Sequence, residues 1–170
     1  MAPCVLWMDE IEKGVAPSQS DDGVSQRLLA TLLTWMAENR KPVFIVATAN
    51  NIDKLPPELV RKGRLDEIFF ADVPEAEGRR ESFGIHLRRR NQPPSAFDLE
   101  LLSSASEGFT GAEIEQAIVS ALYAAQAQDE KLDSGHLLAE VERTSPLSVV
   151  MAEKMGQLRS WAAERTVPAD

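Results

Sequence analysis

Hydrophobic and polar positions change period along this chain, and the changes divide it. Residues 5–8 form a short apolar run that stops at Asp9-Glu10, the pattern of a buried parallel strand with acids at its C-terminal edge, where such sheets place ligands. The stretch 14–23 is polar and reads as a loop, after which Val24, Leu28, Leu32, Trp35 and Met36 recur at helical spacing. A second buried strand is predicted at 43–48, after Pro42. Residues 50–65 read as turn, short helix and loop, with Pro56-Pro57 opening the helix and Gly63 ending it. Residues 67–71 are a third strand candidate, and strands separated by helices point to a parallel α/β sheet.

Beyond Pro74 the pattern is helical throughout. Helices are predicted over about 75–90, 98–105 with Asp98 as N-cap, 110–128, 134–143 and 148–164. Thr110 and Glu113 stand at capping-box spacing, and Ile114, Ala117, Ile118, Ala121, Leu122 and Ala125 draw one apolar face. The domain boundary is therefore placed near 73–75, with an α/β part at 1–74 and a helical part at 75–170.

Charge and composition narrow the possibilities. A hydrophobic fraction of 44% and a charged fraction of 26% suit a globular chain with a real core. A net charge of −9 argues against a nucleic-acid or anionic-membrane surface. The one basic cluster, Arg88-Arg89-Arg90, reads as a solvated helix end, where cations are favoured. Cys4 is the only cysteine, so no internal disulfide can form, and it reads as a small strand residue. No apolar stretch approaches the roughly 20 residues of a spanning helix, and a cytoplasmic location is expected.

Four segments carry candidate chemistry. An apolar strand ending in Asp9-Glu10 either leaves two acids in solvent or serves phosphoryl transfer, the first acid holding magnesium and the second activating the attacking water. Val-Ala-Thr-Ala-Asn-Asn at 46–51 ends a strand in polar residues; Asn50 there is turn chemistry or a hydrogen-bonding partner of phosphate and water. Arg61 and Arg64 flank a Gly turn, as surface charges or as rigid forks presented to a phosphate from a neighbouring subunit. Gly-Phe-Thr-Gly-Ala-Glu-Ile at 108–114 is at minimum a helix start.

In this order and at these spacings the four segments resemble the AAA ATPases. Pro-Cys-Val-Leu-Trp-Met-Asp-Glu-Ile-Glu-Lys, Val-Ala-Thr-Ala-Asn-Asn and Ser-Glu-Gly-Phe-Thr-Gly-Ala-Glu-Ile-Glu-Gln-Ala are similar to the hypothetical chloroplast reading frame type of that family, over essentially the whole chain. The resemblance implies an α/β fold, here an incomplete P-loop NTPase parallel sheet followed by a small all-helical lid. It implies that Asp9 and Glu10 are the Walker B acids, with Asp9 toward magnesium, and that Asn50 is sensor 1. Arg61 and Arg64 would be paired arginine fingers, and Gly111, Ala112 and His86 lid residues near the nucleotide. ATP and Mg2+ are the implied cofactors. The implied assembly is a homo-oligomeric ring, usually of six subunits, acting on an unknown protein substrate, in the cytoplasm or, if plastid-encoded, in the stroma.

The departure is as large as the likeness. No Gly-x-x-x-x-Gly-Lys-[Ser/Thr] occurs in these residues, so the loop that cradles phosphates is missing, and this chain alone is expected to bind ATP weakly and not to hydrolyse it. The family's central strand would be missing too, which is expected to leave edges open at 43–48 and 67–71 and to favour self-association. The loop at 14–23 corresponds to a pore-facing loop or is a plain polar connection. Two other functions stay open: a non-catalytic module that joins complete AAA subunits, and an unrelated α/β phosphohydrolase.

Overall fold

A computed structural model describes residues 2–16, 23–61 and 63–169, and these fall into two compact units.

Unit 1 holds residues up to Phe69 together with 165–167. Strand β1 (Cys4–Met8) pairs in parallel with β2 (Val43–Ala47), Cys4 opposite Val43 through Met8 opposite Ala47. Between them lie α1 (Ile11–Val15) and α2 (Val24–Glu38). Alternation along a strand sends neighbouring side chains to opposite faces, so one face carries Met8 and Ala47 and packs with Ile11, Val15 and Leu59 against Leu29, Leu32, Leu33 and Met36. The opposite face is bare: Val5, Trp7 and Phe44 are 66%, 62% and 69% exposed.

Two expectations change here. Residues 14 and 15 close helix α1 rather than start a loop, and residues 17–22 of the predicted 14–23 loop lie outside the described residues. On α2 the inward stripe is Leu29, Leu32, Leu33 and Met36. Val24 and Leu28, expected to face the core, instead line an open apolar groove of about 740 Å³ with Leu6, Ile11 and Trp35.

The short helix predicted after Pro56-Pro57 is a series of turns. Leu59 N–H donates to the Pro56 carbonyl (3.0 Å) and Arg64 N–H to that of Arg61 (3.2 Å). Only five residues separate the second proline from Gly63, which has φ 87°, too few to recover the cost of nucleating a helix. The third strand shrinks to β3 (Phe69–Phe70), which pairs not with β2 but with β4 (Val167–Pro168), an element the sequence pattern did not predict. Among the described residues β2 has β1 as its sole strand neighbour.

Unit 2 holds 70–164 and the last residues. Helices α3 (Ala76–Arg89), α4 (Leu99–Ala105), α5 (Gly111–Ala127) and α6 (Ser134–Arg143) enclose a core of Phe83, Leu87, Phe97, Leu102, Phe109, Ile114, Ala117, Ile118, Ala121, Leu137 and Val141. The starts of α4 and α5 are set by side chains, as predicted. Asp98 accepts from Leu101 N–H (3.0 Å), and Thr110 and Glu113 form a reciprocal capping box. Glu113 does more than cap, because its Oε1 also accepts from Leu147 N–H at 2.7 Å. The last predicted helix is two, α7 (Leu147–Val150) and α8 (Ala152–Ala162), broken at Met151. β-Branched Val149 and Val150 weaken helix continuation there, and both are more than two-thirds exposed, so no packing restores it.

Arg79 is a buried cation with no carboxylate partner among the described residues. Its Nε donates to the Ser103 carbonyl (3.0 Å) and its Nη1 to that of Pro74 (2.9 Å). Ser103 lies in the last turn of α4, where carbonyls lack helical partners and the helix dipole favours a cation. No helix among the described residues is long and apolar enough to cross a membrane.

Gly108 sits at φ 79°, and a Cβ there would lie 2.4 Å from Ser148 Oγ. Gly108→Ala is expected to destabilise unit 2 by about 1–2 kcal/mol through the left-handed conformation alone, read as a lower denaturant midpoint. A second expectation concerns acid. Arg159 holds Asp72 in a two-pronged pair (2.6 and 2.9 Å), and that hydrogen bond keeps the Asp72 carboxyl below its usual value. A lowered folded-state pKa contributes stability above the unfolded value and loses it as pH falls through the folded one. Arg159→Ala should therefore cost less than about 1 kcal/mol at neutral pH, the pair being partly exposed. In denaturation series the gap from the parent should close as the medium becomes strongly acidic.

Candidate functional site

In unit 1 the in-register pairing brings two strand ends level, and Thr48 ties them together. Thr48 N–H donates to the Met8 carbonyl (2.9 Å), and its own carbonyl accepts from Ile11 N–H (2.9 Å). Its hydroxyl donates to Asp9 Oδ1 and accepts from Glu10 N–H at 3.0 Å. Glu10 stands at φ 49°, ψ 51°, a left-handed conformation uncommon for a non-glycine residue. That reversal turns the backbone from strand into α1 within one residue, so the two acids diverge.

Asn50 Nδ2 donates to Glu10 Oε1 (3.0 Å), and Lys13 Nζ pairs with Glu10 Oε2. The Lys13 ammonium is held above its usual pKa, chiefly by this hydrogen bond. Below them Glu12 is 4% exposed; its Oε1 accepts from Asn50 N–H (3.0 Å), and its Oε2 is buried without a hydrogen-bond partner. Three of the residues singled out in the sequence, Asp9, Glu10 and Asn50, are thus brought into one network.

The arginines stand apart from it. Arg64 Nη1 donates to the Leu33 carbonyl at the inner side of α2. Arg61 is exposed, and no hydrogen bond or ion pair joins its side chain to another described residue. Neither is bonded to Asp9, Glu10 or Asn50, and neither has a carboxylate partner among the described residues.

In unit 2 the three residues expected near a nucleotide, Gly111, Ala112 and His86, share the seam between α3 and α5. A Cβ on Gly111 would lie 3.9 Å from Ser82 Oγ, and one turn further along His86 Nδ1 lies 3.6 Å from Glu115 Oε1. Gly111 has room for a side chain and no positive φ, so backbone strain does not require glycine there. Ala112 is exposed beside it. His86 is mostly buried, and its Nδ1 has no hydrogen-bond partner. Arg90, expected in a solvated cluster, is instead half-buried: it pairs with Glu115 (2.7 Å) and donates to the His86 carbonyl (3.1 Å), and its hydrogen bond lowers the Glu115 pKa. Arg88 and Arg89 are exposed as predicted.

Comparison with known proteins bears on both units. The sequence model of the ATPase family associated with various cellular activities (AAA) matches residues 1–73. Residues 1–73 belong to the AAA family. The similarity to curated AAA proteins continues past that limit. The chain is 43% identical over 166 residues to the AAA domain-containing protein ycf46 of Trieres chinensis and 41% identical to that of Guillardia theta, covering 96% of this chain and 33% of each relative. It is 38% identical over 131 residues to the proteasome-activating nucleotidase of Saccharolobus islandicus, covering 73% of this chain and 33% of that protein. The chain therefore spans about a third of the length of these relatives.

The donor set of this AAA segment suits magnesium better than a transition metal. It offers hard oxygens only, from Asp9, Glu10 and Thr48, and no cluster of three metal-binding side chains exists among the described residues. Magnesium is commonly held in that way, by one or two carboxylates with water and substrate phosphates completing the shell. The buried orphan nitrogen of His86 in unit 2 fits a polar ligand atom.

Sequence reasoning missed Thr48, Glu12 and Lys13. Thr48 was visible as the first polar residue after β2, opposite the residue that follows Met8. Glu12 was legible only once 11–15 was helical, since Ile11, Glu12 and Val15 are then buried together.

Thr48→Val keeps the shape and removes the hydroxyl that serves both Asp9 and Glu10. It is expected to lower the stability of unit 1 by about 1–2 kcal/mol and to broaden or shift the Glu10 amide resonance, measured by denaturation and by amide NMR.

Proposed function

We propose that these residues are the Walker B, sensor 1 and arginine-finger portion of an AAA ATPase, followed by its helical lid, and that the complete protein couples ATP hydrolysis to remodelling of a protein partner. The observation that carries this reading is the network in which Asn50 and Glu10 share a hydrogen bond while Asp9 is held apart by Thr48. Two neighbouring acids with separate partners are suited to two tasks. Glu10 is assigned to orient and deprotonate the attacking water, with Asn50 steadying it. Asp9 is assigned to hold magnesium, which when bound neutralises phosphate charge.

Arg61, exposed and without an ion-pair partner among the described residues, is assigned to reach a phosphate bound in an adjoining subunit, where a guanidinium spreads transition-state charge. Arg64, bonded to the Leu33 carbonyl, braces the turn that presents it. Gly111, Ala112 and His86 are assigned to the nucleotide on the lid side, Gly111 because glycine there leaves approach room that the backbone does not need. The ring is proposed to be homo-oligomeric and hexameric. The name of the Saccharolobus relative, a proteasome-activating nucleotidase, supports a nucleotide-driven action on protein substrates. These residues alone, without a phosphate-cradling loop, are proposed to be inactive.

A second reading is favoured by one observation, the uncovered sheet face of Val5, Trp7 and Phe44: a non-catalytic module that associates with complete AAA subunits.

The test is made in the complete protein. Glu10→Gln is expected to lower ATP turnover at least a hundredfold with nucleotide binding retained. Arg61→Ala is expected to slow turnover and to be partly rescued when mixed with Glu10→Gln subunits, since each supplies what the other lacks. Undiminished turnover in Glu10→Gln would sink the catalytic assignment, and a complete protein with no turnover at all would favour the module.

A further inference from the structure

Glu12 is the third acid of the Asp9-Glu10-Ile11-Glu12 run, and neither a metal-holding nor a water-activating role accounts for it. It is 4% exposed on a helix of five residues, with one carboxylate oxygen on Asn50 N–H at 3.0 Å and the other buried and unpartnered. Burying a carboxylate with one oxygen unsatisfied is costly, and packing alone would be served by an apolar residue of the same volume. What the carboxylate does, and an apolar residue could not, is hold the backbone of Asn50. Its bond spans from α1 to Asn50, three residues past the end of β2, and the side chain of that same Asn50 donates to Glu10 Oε1 at 3.0 Å. Glu10 and Glu12 thus grip Asn50 at two atoms, side chain and main chain.

We infer that Glu12 is a positioning residue for the hydrolytic step: by fixing the Asn50 main chain it sets where the Asn50 amide meets Glu10. This rests on the assignment of Glu10 and Asn50 above. Asn50 follows the strand rather than lying in it, and Glu12 gives its N–H the partner that a strand neighbour would otherwise supply. Small displacements at reacting groups are expensive in rate, so loss of the acceptor should appear in turnover and not in nucleotide affinity.

The experiment uses the complete protein and three changes. Glu12→Met keeps the buried volume and removes the acceptor; replacing a buried charge by an apolar side chain of similar size is compatible with folding. Glu12→Gln keeps an oxygen acceptor for Asn50. The expected result for Glu12→Met is a kcat lower by roughly tenfold to a hundredfold with the KM for ATP within about twofold, and for Glu12→Gln a kcat near that of the parent. In an Asn50→Ala background, Glu12→Met should have little further effect, because both changes disable one device. The inference is overturned if Glu12→Met turns over like the parent, if Glu12→Gln is as slow as Glu12→Met, or if Glu12→Met lowers kcat by the same factor with and without Asn50→Ala. Glu10→Gln in the same assay separates the two levels: loss of turnover there with none in Glu12→Met rejects the role of Glu12 and leaves the hydrolytic reading standing.

Discussion

The candidate site depends on the Thr48 hydroxyl and the register that places it. A threonine one residue past the end of β2 meets the residues one and two past the end of β1, accepting from one backbone N–H and donating to one carboxylate. Shift the register by one and every side chain of β2 would swap faces; Ala47 would leave the core, and Thr48 would lose both partners. The left-handed Glu10 is the visible cost of the arrangement, on the order of 1–2 kcal/mol for a residue with a Cβ. It is offset by the Glu10 N–H and Ile11 N–H bonds, both accepted by Thr48. The conformation that directs the two acids apart is therefore enforced from the neighbouring strand.

The two units are unequally finished. Unit 2 closes four helices over a continuous core with large aromatic residues fully buried, and its helix starts are capped by Asp98, Thr110 and Asp133. Unit 1 buries few apolar side chains completely and leaves one face of a parallel pair in solvent. Parallel sheets are normally covered on both faces, so the open face and the unpaired edge of β2 are features of a sheet that further structure would complete. That agrees with a chain spanning a third of its relatives' length.

What the sequence made legible follows from how local each feature is. The two parallel strands and helices α3 to α6 announce themselves by period and by caps, and the structure keeps them within a residue or two. Asp98 and the Thr110–Glu113 box were readable because a cap needs only four consecutive residues. The misses are non-local or marginal. The turns at 56–64 carry helix-opening and helix-ending residues with too little helix between them. The β3–β4 pair joins residues almost a hundred apart. Val24 and Leu28 have helical spacing but lie at the N-terminal end of α2, where no element among the described residues covers them. At the site, Asp9, Glu10 and Asn50 were found because strand ends are where such sheets place polar chemistry. Thr48 and Glu12 were not, because their importance lies in which backbone groups they satisfy, and that depends on register and on the helical state of residues 11–15.

The contacts on Glu10 differ in strength, and the difference sets their order of release. Lys13 is 70% exposed, and its pair with Glu10 is an i, i+3 ion pair at the surface, a class that contributes little and is readily screened. Asn50 is held at both its side chain and its main chain, the latter by a buried carboxylate. A water or phosphate approaching Glu10 therefore displaces Lys13 before Asn50, freeing Oε2 while Oε1 stays anchored. One oxygen of Glu10 is thus fixed in place and the other is weakly guarded, an asymmetry suited to a base that must stay oriented while it accepts a proton.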